Sequence, residues 1–99
     1  MFEKLIAAQQ RAEEIKKRLD QVKVTGEAEG GAIKVTATGN REVTDVSIDQ
    51  AFFADADREQ LEELLTVAIN HALKQAENVS QTEMYGVAKD MIGGLGGLS

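Results

Sequence analysis

Lys4, Arg11 and Arg18 recur every seven residues in the first part of the chain. On an α-helix this interval keeps three cations within about 40° of one another, and such a strip can meet successive phosphates along a nucleic-acid backbone. The same interval also describes the flanking positions of a heptad, where the cations would hydrate the helix and pair with Glu14, three residues after Arg11 and four before Arg18. Lys17 enlarges the basic group, and Lys34 and Arg41 supply two more cations at mid-chain.

Other residue types with chemical potential are few. With one histidine, His71, and no cysteine, the chain can form neither a disulfide nor a thiolate cluster, and cannot assemble a multi-histidine metal site by itself. His71 falls at the border of an apolar helical face and reads as a packing residue. Ser47, Ser80 and Ser99 lack any nucleophile motif or paired acid and base. The expectation is a protein that is not an enzyme and takes no cofactor, metal or small-molecule substrate. The acids of "DAD", Asp55 to Asp57, suit a helix entry, and "GGLGGL" follows no strand and opens no helix, unlike a phosphate-binding loop.

The 99 residues carry a formal net charge of −6, which by itself opposes binding to a polyanion. That charge is unevenly placed: residues 1–23 hold six basic and four acidic groups, net +2, and residues 24–99 hold five basic and thirteen acidic, net −8. The opening "MFEKLIAAQQ" interrupts its apolar residues with Glu3 and Lys4, unlike a signal peptide. No apolar run approaches the roughly 20 residues of a membrane span. A cytoplasmic location without membrane contact is expected.

Apolar residues at Met1, Leu5, Ala8, Ala12, Ile15, Leu19 and Val22 step by four and three in turn, a heptad seam on a helix of roughly 30 Å. A three-stranded sheet is shorter than that rod, so part of the seam is left for a second copy. Leu5, Ala8, Ala12, Ile15 and Leu19 are the candidate dimer interface.

Alternation then marks three strands: Val22 to Ala28, ending at the turn "EGG"; Ile33, Val35 and Ala37 with polar neighbours; and a third in which Thr44, Val46 and Ile48 share a face. Val43 is out of phase, the sign of an irregularity near the hairpin tip. Gly39-Asn40, tolerant of positive φ, reads as a two-residue primed turn. A short connection, "QAFFADA", follows, with Phe52 and Phe53 as core anchors, and Asp57 with Gln60 makes a capping box.

The last helix buries Leu61, Leu64, Leu65, Ala68, Ala72, Ala76 and Val79, widened by Ile69 and Leu73. Ser80 and Glu83 form a second capping box, an alternative break, but without Gly or Pro before Gly86 the pattern runs to about Ile92. The expected fold is α+β in the order α-β-β-β-α: one domain over 1–92, then a flexible glycine-rich tail over 93–99. Lys34 and Arg41 share the hairpin with Glu42 and Asp45, which makes that ribbon a solvated frame and leaves the helices to touch a partner.

This order, with these residues, resembles the YbaB/EbfC family of bacterial nucleoid-associated proteins over nearly the whole chain. The resemblance rests on "VTGEAEGGAIKVTATGNREV", Val24 to Val43, with its Gly-acid-Ala step, glycine-rich turn and Gly-containing hairpin. It continues through "VSID" into "AINHALKQAENVSQTEM", Ala68 to Met84. Asp49-Gln50 stands where the family often has Asp-Pro, and His71 where an acid often follows the helix asparagine. The resemblance implies a tweezer-shaped homodimer with projecting helices that binds duplex DNA with little sequence preference and helps organise the nucleoid. A structural or protein-interaction dimer without a DNA role is the alternative, supported by the acidic total and the scarcity of aromatics for base stacking.

Overall fold

The computed structural model describes residues 2–96, with side chains through Gly86. Helix α1 spans Phe2–Gln21, strand β1 Lys23–Ala28, β2 Ile33–Thr38 and β3 Val43–Ile48; helix α2 covers Gln50–Asp55 and α3 Arg58–Gly96. The architecture is the expected helix, three-stranded antiparallel sheet and long helix, in the spatial order β1-β2-β3.

Helix α1 is rich in Ala, Leu, Glu, Lys, Gln and Arg, all strong helix formers. Its last carbonyls find donors outside the helix. Gly39 N–H donates to the carbonyls of Leu19 (2.9 Å) and Val22 (3.0 Å), and Asn40 Nδ2 donates to the carbonyl of Lys16 at 2.9 Å and to the Asp20 carboxylate. The hairpin tip thus ties down the base of α1, and Gly39 satisfies the Leu19 carbonyl, one of those the helix leaves open. Here the structure departs from a primed turn. The loop is residues 39–42, closed by Thr38 N–H to the Glu42 carbonyl at 2.8 Å, and its positive φ belongs to Arg41, at 64°. Gly39 serves close approach instead: a Cβ there would stand 2.9 Å from Leu19 Cδ2.

The β1–β2 connection turns through Gly30 and Gly31, with φ of 63° and 96°, and Ala32 N–H closes it on the Glu29 carbonyl at 3.2 Å. Both conformations are ones that glycine adopts without strain. Between β2 and β3 the register slips: Thr36 faces Asp45 and Ala37 faces Val43, leaving Thr44 as the extra residue of a bulge. The irregularity at Val43 is therefore real. It moves Val43 onto the face of Val46 and Ile48, and Thr44, expected on that face, becomes the bulged residue.

Ile33, Val35 and Ala37 are fully buried beneath α3, which presents Ala68, Ala72 and Ala76, equally buried, at intervals of four. These small side chains let the helix lie almost on the strand. A methyl group on Gly26 of β1 would overlap the Ala68 carbonyl oxygen and the Ala72 amide nitrogen. Val24, Leu61, Leu64, Leu65, Ile69 and Phe52 ring this core.

Two parts of the connection differ from expectation. "QAFFAD" is a helical turn and a half, started by Asp49, whose carboxylate accepts the Phe52 N–H at 3.0 Å. Phe52 packs on the core, but Phe53, expected beside it, is 58% exposed, because successive residues of a short helix point 100° apart. Asp57 then starts α3 by accepting the Gln60 N–H at 2.7 Å, as the capping pattern predicts. No break occurs at Ser80, and the helix continues past Ile92 to Gly96. Residues 97–99 of the glycine-rich tail lie outside the described residues.

Candidate nucleic-acid interface

Helix α1 leaves the sheet as an arm. Among the described residues of its seam, only Ile15 and Leu19 are buried, 7% and 4% exposed, beside the hairpin and α3, whereas Leu5 is 60% exposed and Ala8 and Ala12 are also open. The candidate dimer residues therefore fall into two groups: Ile15 and Leu19 already pack within the protomer, and Leu5, Ala8 and Ala12 have surface to offer. Lys4 and Arg11 border an open cleft of about 370 Å³ floored by Ala7, Ala8, Ala12, Ile15 and, from α3, Met84. Two members of the basic strip thus edge one apolar groove.

The third is engaged differently. Arg18 Nη1 meets Glu83 Oε2 of α3 at 3.1 Å, with side-chain exposures of 60% and 30%. Glu14, the local partner suggested by spacing, makes no ion pair among the described residues. Glu83 likewise does not close a box on Ser80; it reaches across to α1.

Lys34 and Arg41 do not form one cluster. Lys34 sits at the end of the sheet near the β1–β2 turn, opposite Glu27, on the solvent face. Arg41 lies at the other end, next to Asn40, which contacts the Lys16 carbonyl and the Asp20 carboxylate of α1. Of the two, only Arg41 adjoins a residue that touches α1.

Sequence reasoning passed over two further features and misjudged a third, His71, which it took for a packing residue and which is exposed. Asn78, Gln81, Thr82 and Tyr85, one face of the outer part of α3, line a shallow depression with donors and acceptors suited to phosphates or base edges. The i, i+3, i+4, i+7 spacing was the available signal. His71 Nδ1 accepts the backbone N–H of Glu27 at 3.1 Å, on the unpaired edge of β1, and its Nε2 lies 3.3 Å from Gln75 Nε2. Asn40 is a tertiary cap, which no local pattern announces. Among the described residues no group of three or more His, Cys, Asp and Glu is placed to hold a metal ion, and no helix is long and apolar enough to cross a membrane.

A sequence model of the YbaB/EbfC DNA-binding family matches residues 1–91. The chain belongs to that family. The family is one of DNA-binding proteins. Relatives named nucleoid-associated protein include one of Flavobacterium johnsoniae, 39% identical over 89 residues, covering 90% of this chain and 82% of the relative. Another, of Rickettsia bellii, is 35% identical over 83 residues, covering 84% and 78%. An uncharacterised protein of Helicobacter pylori, solved by crystallography, shares the fold with a TM-score of 0.68 at 20% identity, over 84% of this chain and 96% of that one.

Proposed function

We propose that this member of the YbaB/EbfC family acts as a homodimer in the bacterial cytoplasm, binding duplex DNA of the nucleoid with little sequence preference through phosphate contacts. The observation that carries this reading is the α1 arm, which holds Lys4, Arg11, Lys17 and Arg18 exposed and outside the core. Arg41 extends the basic group from the hairpin tip, and the polar face of Asn78, Gln81, Thr82 and Tyr85 adds uncharged donors on α3. Phosphate contacts fix orientation but carry no base information, which fits a protein that coats or organises DNA.

Duplication supports the reading in two ways. It doubles a small number of cations, and it covers apolar surface that one protomer leaves open. That surface comprises Leu5, Ala8 and Ala12 on α1, Val43 (40% exposed) and Val46 (43%) on β3, and Phe53 on α2. Helix α3 packs mainly over β1 and β2 and barely reaches β3. The same open surface also favours the second reading, a protein-interaction dimer without a DNA role. Gel shifts of two unrelated duplexes at low and moderate salt separate the two: comparable, salt-sensitive binding of both duplexes supports the first, and no shift at low salt overturns it.

A further inference from the structure

The three cations of the α1 strip are not equivalent. Lys4 and Arg11 border the open cleft, whereas Arg18 is already held by an acid 65 positions away in the chain. We infer that Glu83 is an internal stand-in for phosphate: it occupies Arg18 in the free protein and competes with DNA for it, so that Glu83 sets the affinity of the arm. This rests on the reading that Arg18 contacts phosphate.

Three properties of the contact support competition over permanent structure. A carboxylate and a phosphate present the same kind of anionic oxygen to a guanidinium, whose fork of N–H donors binds either. The contact is made through Nη1, with the Arg18 side chain 60% exposed, so a phosphate can approach before Glu83 departs. Exposed ion pairs also add little to stability, and a duplex offers a far higher density of negative charge. Among the described residues, Arg18 to Glu83 is the side-chain hydrogen bond that joins α1 to α3. DNA that takes Arg18 therefore also unties the two helices at that point and leaves Glu83 free near the phosphates, where its charge opposes binding.

The experiment compares wild type, Glu83→Gln, Glu83→Ala, Glu77→Gln, Arg18→Gln and the double change Arg18→Gln with Glu83→Gln on one duplex across a salt series. Glu77 lies on the same helix and its carboxylate engages Gln81 instead of Arg18, so Glu77→Gln removes a charge without freeing the strip. Glu83→Gln and Glu83→Ala are expected to tighten binding about two- to fivefold at low salt, the span of an exposed pair. Glu77→Gln should give less, and the gain should vanish in the Arg18→Gln background. Equal binding by wild type and both Glu83 variants, or a gain that persists without Arg18, overturns the inference while DNA binding stands. Failure of wild type to bind any duplex at low salt overturns the underlying reading and this inference with it. Melting temperature and sedimentation without DNA confirm that each variant is folded.

Discussion

Gly26 of β1 and Ala72 of α3 meet backbone to backbone: a Cβ on Gly26 would stand 2.9 Å from the Ala72 Cα and overlap the Ala72 amide. The helix can sit this low because Ala68, Ala72 and Ala76 are its contact residues. Neither side has a flexible side-chain end that could move aside.

Gly26→Ala should therefore destabilise the fold by about 2 kcal/mol or more, at the upper end of the cost of overpacking. Urea denaturation measures it. A loss below about 0.5 kcal/mol would mean that α3 shifts on the sheet without penalty.

Asn40→Ala should cost about 1–2 kcal/mol, since it strips hydrogen bonds from the Lys16 carbonyl and the Asp20 carboxylate together. Amide exchange in the last turn of α1 should quicken along with the fall in stability. Unchanged exchange there would mean that water replaces the cap at no cost.

His71→Leu should leave global stability within about 1 kcal/mol, because the Glu27 amide it releases stands where water can reach it. The local readout is sharper: the Glu27 amide should exchange faster than in wild type while its neighbours in β1 hold. The ring accepts that bond only while Nδ1 carries no proton.

Ile15→Asp should unfold the protein outright, since Ile15 is buried inside the protomer and a carboxylate there has no partner. Val46→Asp, on the open face of β3, should leave secondary structure intact and shift sedimentation toward monomer. A folded dimer for Val46→Asp and a folded monomer for Leu5→Asp would move the interface to the α1 arm.

Changing Arg11 and Arg18 together to Glu should abolish gel shifts at low salt for unrelated duplexes alike. With three contacts per protomer, wild type should show a slope of log affinity against log salt approaching roughly −5. Lys34→Glu should matter little and Arg41→Glu more, because Arg41 adjoins Asn40, which holds the hairpin tip to α1. The reverse order would make the sheet face the binding element.

Local periodicity carried most of this fold. Alternation around Ile33, Val35 and Ala37, the alanine spacing of α3, the Asp57 cap and the dislocated Val43 are each decided within a few residues, and each appears where the sequence places it. The features that escaped are joined across the chain. Asn40 ties down a helix that ended nineteen residues before it, and Glu83 of α3 finds Arg18 of α1. The candidate interface was legible as a strip of charges, but not in its inequality, because spacing along one helix says nothing of what a second helix brings to it.

Because α1 is capped by Gly39 and Asn40, the order in which the chain is made matters. During synthesis α1 emerges before the hairpin, and the donor for its final turn, Gly39, follows the end of the helix only after eighteen more residues. Most of the stability of a protein helix comes from tertiary packing and not from propensity. The arm that carries the cations thus frays at its base until the hairpin closes on it, and a fragment ending before Gly39 should show far less helix than the same residues do in the complete protein.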